Sequence, residues 1–307
     1  MTDTFLQPIP HPTAARRGVR LLLWRDDLAH PDLPGNKARK LKYNLAQARA
    51  DGHARLLTFG GAYSNHLAAV ATAGRLYGFA TTGLVRGEVY EPLNPTLAQC
   101  AADGMQLHYL DRTTYRRRAE PDFLANVQRQ LGPAYVLPEG GTNALALRGV
   151  AELIGELRQH TDFDAVAVAA GTGGTLAGLA LGLAEAAYPA RALGVAALKG
   201  ADFLRAEIAE LTLTAAGHPL ASYELHLGYH FGGYAKLPAE LRVFIQGFQA
   251  HYGVLLDPIY TSKLLFGVLD LIEQGHFAAG STVVAVHTGG LQAWAGFGGW
   301  QGAVSSK

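Results

Sequence analysis

The chain has 307 residues, 49% of them hydrophobic and 17% charged, enough to bury a large core in one big domain or two subdomains. A net charge of +1 with no long basic run argues against nucleic acid or anionic lipid as a partner. The single cysteine, Cys100, excludes an intramolecular disulfide and any zinc site built on cysteines.

In chain order, the opening MTDTFLQPIPHPTAARRG holds no apolar segment of a secretion signal, so a reducing, cytoplasmic setting is expected. LPGNKARKLKYN at 33–44 reads as the start of a helix, with Asn36 expected as N-cap after the Pro34–Gly35 turn. Strands are expected at Arg55–Phe59, Ala80–Arg86, Met105–Leu110, Ala134–Leu137, Ala165–Ala169, Leu193–Leu198 and Thr282–His287. Helical patterns such as His66–Tyr77, Asn143–His160 and Thr175–Ala187 lie between them. This alternation predicts an α/β fold: two open, twisted, mainly parallel subdomains with a cleft between them. Residues 1–50 and 158–307 are expected to form the larger, discontinuous one, and 51–157 the smaller. The uncharged stretch Ala165–Ala184 is long enough to span a bilayer. Asp162 and Asp164 just before it, GTGG in its middle and a change of period favour a soluble strand and helix instead.

Four Gly-rich loops stand where a strand ends and a helix begins: TFGGAYSNH at 58–66, PEGGTN at 138–143, AAGTGGTLAG at 169–178 and VHTGGLQ at 286–292. Ligands of open parallel sheets bind at such ends, where helix amides favour an anion. GTGGTLAG fails the dinucleotide fingerprint, because Leu176 takes the third glycine position, and the next strand ends near Lys199 rather than an acid. A nicotinamide oxidoreductase is therefore the weaker reading. No Walker motif occurs, which leaves a single phosphate on a compact cofactor.

The helix at 36–50 carries Lys37, Lys40 and Lys42. At about 100° per residue the apolar stripe is Ala38, Leu41, Leu45 and Ala48. Lys37 falls about 40° from its centre, while Lys40 and Lys42 lie about 100° to either side and read as solvated. Lys37 thus points inward at a helix start, where the dipole, burial and nearby cations all disfavour an ammonium. A lowered pKa is what an amine needs to attack an aldehyde.

These motifs together resemble the D-cysteine desulfhydrase and 1-aminocyclopropane-1-carboxylate deaminase family, pyridoxal-phosphate enzymes of the tryptophan-synthase β fold (fold type II). The resemblance rests on LPGNKARKL, GGAYSNH at 60–66, PEGGTNALALRG at 138–149, GTGGT at 171–175, DPIYTSK at 257–263 and HTGG at 287–290. It implies that Lys37 binds pyridoxal 5'-phosphate covalently and shuttles the α-proton. It implies a phosphate loop at Gly171, Thr172, Gly173, Gly174 and Thr175, and Asn65 on the phenolic oxygen of the ring. Ser64, Asn65 and His66 would receive the substrate carboxylate, with Tyr260 and Tyr234 near the reacting carbons. A homodimer is also implied.

Two positions depart from the deaminase pattern, which leads us to expect a glutamate at Thr261 and a leucine at Thr288. Thr261 is assigned to the substrate side and Thr288 to the cofactor. Hydroxyls in place of a carboxylate leave the ring nitrogen largely neutral, which suits expulsion of a β-substituent over cyclopropane opening. Elimination from a β-substituted alanine, D-cysteine foremost, is therefore expected to yield pyruvate, sulfide and ammonia. The alternatives are 1-aminocyclopropane-1-carboxylate deamination, a related reaction on another amino acid, and a binding protein without catalysis on the same fold. Retention of Lys37, Asn65, Tyr260 and Thr288 argues against the last. The chain also lacks the longer N-terminal segment expected of such enzymes, and it carries Ala69 near where a polar residue follows SNH, so other leaving groups stay open. His108, His226, His230, His251 and His276 show no metal-ligand spacing, so no metal is expected.

Overall fold

The computed structural model describes residues 5–89 and 91–300. Its strands, in chain order, are β1 (Leu6–Pro8), β2 (Arg20–Trp24), β3 (Arg55–Gly61), β4 (Ala80–Arg86), β5 (Met105–Leu110), β6 (Tyr135–Leu137), β7 (Ala165–Ala170), β8 (Arg191–Ala196), β9 (Tyr223–His226) and β10 (Thr282–Val286). One sheet has the order β1-β2-β10-β7-β8-β9, the other β5-β4-β3-β6. All pairings are parallel except β1 with β2. Parallel strands covered on both faces need unbroken apolar runs, and AVAVAA of β7 is buried at every position. β1, β2 and β9, which were not anticipated, are short or lie towards a sheet edge.

The helices are α1 (Pro12–Arg16), α2 (Asn36–Ala50), α3 (Asn65–Tyr77), α4 (Pro95–Ala102), α5 (Arg112–Arg116), α6 (Pro121–Leu131), α7 (Ala144–His160), α8 (Gly174–Glu185), α9 (Leu204–Ala216), α10 (Ala239–Tyr252) and α11 (Thr261–Glu273). The uncharged stretch 165–184 is thus β7, a tight turn and the start of α8. Among the described residues no helix is long and apolar enough to cross a membrane.

Packing divides the chain differently from boundaries at 50/51 and 157/158. α2 buries Leu41 and Ala48 in one core with Leu56, Leu67 and Val70, on the smaller sheet. α7 buries Leu147, Val150 and Ile154 with Val166, Leu176 and Leu179, on the larger sheet. The contact between α2 and α7 is therefore a seam between the two halves.

The start of α2 also differs from expectation. Gly35, not Asn36, is the N-cap, with φ +77°. A Cβ there would stand 2.0 Å from the Thr288 carbonyl oxygen, so only glycine admits this approach. Asn36 lies inside the first turn and donates its amide to Thr175 Oγ1 at 2.9 Å.

α2 is fixed to both neighbours by Arg39. Its guanidinium meets the fully buried Asp26 at 2.8 Å and forms a two-pronged bridge to Glu156 on α7, both bonds 2.7 Å. Removing one partner of a buried pair strands the other charge, at a cost of about 3–5 kcal/mol. Arg39→Met should therefore lower the unfolding free energy by about 3 kcal/mol in urea titrations. A loss below about 1 kcal/mol would mean that this bridge does not anchor α2.

Candidate active site

The carboxyl ends of β3, β7 and β10 converge with the N-termini of α2, α3, α8 and α11, and the Gly-rich loops lie at that convergence. Lys37 sits half-buried in the first turn of α2, its Nζ 3.4 Å from the Gly140 carbonyl oxygen. Burial lowers its amine to about 8, so the free base is half-populated near pH 8.

Lys40 corrects the sequence reading. It is buried, not solvated, and donates to the Gly140 carbonyl at 3.2 Å and to Thr142 Oγ1 at 3.1 Å. Burial and the neighbouring Lys37 push its pKa well down. The inward face of α2 is Lys40, Leu41, Asn44 and Ala48, and Lys37 projects near its middle. An apolar count misses that face because two of its four residues are polar. Asn44 accepts from Asn143 at 2.7 Å and from the Tyr135 hydroxyl at 3.1 Å. Lys42 is exposed as expected and pairs with Glu152 at 2.7 Å.

Gly171, Thr172 and Gly173 form the turn from β7 into α8, which Gly174 and Thr175 open. Thr172 Oγ1 lies 2.7 Å from Thr142 Oγ1. A Cβ on Gly174 would collide with Thr142 Cγ2 at 2.6 Å and stand 3.1 Å from Lys40 Nζ. Lys40 Nζ thus hangs over the first residue of α8, beside two threonine hydroxyls and a helix N-terminus. Among the described residues no carboxylate bonds to either lysine, and such a cradle suits an anion.

Ser64 caps α3 and accepts from the His66 and Leu67 amides at 3.2 and 3.3 Å, leaving its hydroxyl hydrogen free to donate. Asn65 accepts from Gln292 at 2.9 Å, and its amide nitrogen, with no bond to another described residue, lies against Gly290. His66 does not face the cleft as a substrate ligand. It is buried, its Nε2 is 2.8 Å from Thr58 Oγ1, and its amide is taken by Ser64. Because Thr58 gives its hydroxyl hydrogen to the Leu137 carbonyl, Nε2 is the donor to Thr58. Burial, Lys37 and Lys40 push its pKa well down, which favours the neutral ring. Ala69 is buried in the small-sheet core, so that position does not tune the cleft.

Tyr260 precedes α11, its ring against Gly171 and 6.2 Å from that of Tyr234. Burial raises the Tyr260 phenol well above its ordinary value, and Tyr234 adds to the rise. Tyr234 is 43% exposed along its outer edge. Burial of its inner end raises its pKa too, while Tyr260 and Arg86 pull it back, so it is the more acidic of the two.

Thr261 does not reach the cleft either. It is fully buried, and its hydroxyl donates to the Asp257 carboxylate at 2.5 Å while accepting the Asp257 amide at 2.8 Å. That carboxylate also takes the amides of Ile259, Tyr260 and Thr261. Thr288, half-buried after β10, bonds to no other described residue and keeps a free hydroxyl.

A groove of about 720 Å³ lies elsewhere, lined by Trp24, Leu33, Ala38, Leu45 and Glu152 on the outer side of α2. Lys37, Lys40, Asn65, Tyr260 and Thr288 do not border it.

Lys263 was missed by sequence reasoning. It is fully buried, and its Nζ donates to the Ala197 carbonyl at 3.1 Å and to that of Gly233 at 2.7 Å. The segment it holds carries Tyr234 and has positive φ at Phe231, Gly232, Gly233 and Ala235. Such backbone persists only where its surroundings impose it. Lys263→Met should speed amide exchange at 230–236 by about tenfold or more, leaving β7 and β10 protected. Unchanged exchange in that segment, followed by mass spectrometry, would remove Lys263 from this role.

Residues 2–289 match a family described as "Pyridoxal-phosphate dependent enzyme". A Pyrococcus horikoshii protein provisionally named 1-aminocyclopropane-1-carboxylate deaminase is 29% identical over 94% of this chain and 90% of its own. A D-cysteine desulfhydrase of Yersinia pestis is 31% identical, covering 90% and 88%. The crystal structure of an ACC deaminase homologue superposes with a TM-score of 0.85 at 30% identity, covering 97% and 92%.

Proposed function

We propose, from the premise that the chain belongs to the pyridoxal-phosphate-dependent enzyme family, that it eliminates the β-substituent of a β-substituted alanine, with D-cysteine the favoured substrate. Its relatives divide between cyclopropane deaminases and a D-cysteine desulfhydrase. The observation that carries the choice is the state of the two threonines. Thr261 spends its hydroxyl on Asp257, the Asp257 carboxylate is saturated by four hydrogen bonds, and Thr288 offers a free hydroxyl. The chain thus presents a neutral partner to the ring nitrogen where the deaminase pattern calls for a carboxylate.

The residues fit the cofactor. Thr142, Thr172 and Thr175, the start of α8 and the Lys40 amine, whose protonated form a bound anion favours, would hold the phosphate. Pyridoxal phosphate supplies an aldehyde that takes an amine covalently and a ring that accepts electrons from the α-carbon. Asn65 would donate its free amide to the ring oxygen, and Ser64 its hydroxyl to the substrate carboxylate. Lys37, lowered to about 8, supplies the amine and takes the α-proton. The Tyr234–Tyr260 pair stands beside Gly171, where a protonated phenol stabilises the departing sulfur. Loss of the α-proton and of hydrosulfide from Cβ gives aminoacrylate, and one water then converts this to pyruvate and ammonia.

Two lysines on one carbonyl call for a direct assignment. Borohydride reduction of the holoenzyme followed by peptide mapping should label Lys37, and Lys37→Ala should fold, lose the yellow colour and fall in kcat by about 10²–10⁴-fold. Label on Lys40 would reverse the two roles.

Purified holoenzyme should release equal amounts of pyruvate and sulfide from D-cysteine, with little 2-oxobutanoate from 1-aminocyclopropane-1-carboxylate. Thr288→Leu should slow the first reaction. Robust 2-oxobutanoate formation by the parent enzyme would falsify the threonine argument. Chloroalanine, cysteate and serine in both enantiomers, screened alongside, rank the leaving groups.

A further inference from the structure

Outside the cleft, three side chains converge that the chemistry above does not use. Glu224 and His226 are two residues apart on β9, so they project from one face of that edge strand. His276 follows α11, fifty residues further along, and turns back onto them. Its Nε2 lies 2.7 Å from Glu224 Oε2, and His226 Nε2 lies 3.3 Å from the same oxygen. All three donor atoms fall within 4.8 Å of one another.

We infer that Glu224, His226 and His276 form a binding site for a divalent first-row metal ion of the zinc type. Two imidazoles and one carboxylate are the ligand set such ions favour, with a fourth position left to water. Bonds of about 2.0–2.1 Å place tetrahedral ligand atoms about 3.3 Å apart. The cluster is close to that spacing already, and small side-chain rotations complete it. Side-chain exposures of 22–28% leave an entry path from solvent.

The surroundings support the assignment. Arg191 grips the other oxygen of Glu224, which orients the carboxylate and leaves Oε2 for the ion.

The site is separate from the cleft. Tyr260 stands at one end of α11 and His276 beyond the other, and thirteen helical residues span about 20 Å. A metal there ties the open edge of β9 to the connection between α11 and β10, so its effect falls on stability and not on turnover. Nothing in this assignment depends on which amino acid the cleft accepts.

The test is a titration of chelator-treated holoenzyme with Zn²⁺ against a chromophoric chelator, repeated with Co²⁺ to read the coordination geometry in the visible spectrum. The parent protein should take up one equivalent, and its melting temperature should rise with added Zn²⁺ by mass action. Glu224→Gln keeps the size and hydrogen bonding of the side chain, and with His276→Gln it should weaken binding by at least about tenfold. Unchanged cofactor absorbance in both variants reports that they fold. Absence of a saturable equivalent in the parent, or an equivalent that survives both substitutions, overturns the site.

Discussion

Lys37 and Lys40 end on one acceptor, the carbonyl oxygen of Gly140, and among the described residues no carboxylate bonds to either. Two buried amines in that arrangement cannot both hold a full charge at ordinary cost, and the interior relieves the conflict by lowering both pKa values. The rest of the site follows from this imbalance. The cleft carries a deficit of negative charge, and the turn from β7 into α8 stands where an anion cancels it. An anion held near Lys40 leaves Lys37 free to work as a base. In the proposed chemistry one lysine is an electrostatic partner and the other a chemical one, although the sequence separates them by only two residues.

What fixes these amines in space is the seam on which α2 lies. Its apolar residues join the small-sheet core, while Arg39 reaches through the seam to Asp26 and Glu156. The opposite wall is held by polar contacts, with Asn65 of α3 bonded to Gln292 after β10. The site is therefore assembled from both halves of the molecule, and each contributes helix N-termini in place of whole charged side chains. Such dipoles stabilise an anion without supplying a competing proton.

Much of this was legible in the sequence, for a physical reason. Strands buried on both faces need continuous apolar runs, so β3, β7 and β10 announced themselves within a residue or two. The loops GTGGT and SNH were visible because a helix start near a ligand requires small or capping residues. The failures share one cause: a polar residue whose environment is tertiary. Lys40 looked solvated because periodicity counts only apolar side chains. Lys263 gave no signal until the fold brought Gly233 to it. Thr261 looked available because the Asp257 that consumes its hydroxyl caps α11 from four residues back. His226 and His276 looked unrelated because only the reversal of α11 makes them neighbours.

The close approach of Gly35 to the Thr288 carbonyl has a wider meaning. Gly289 in turn packs against Gly35 and Pro34, so the chain segments bearing Lys37 and Thr288 touch through main-chain atoms. The spacing between the amine and the hydroxyl is set by a backbone gauge and not by side-chain packing. Substitutions around the cleft mouth can then retune what the cleft admits while that gauge keeps its setting. Reactivity and selectivity are written in separable parts of the chain, and a lineage can change the second without rebuilding the first.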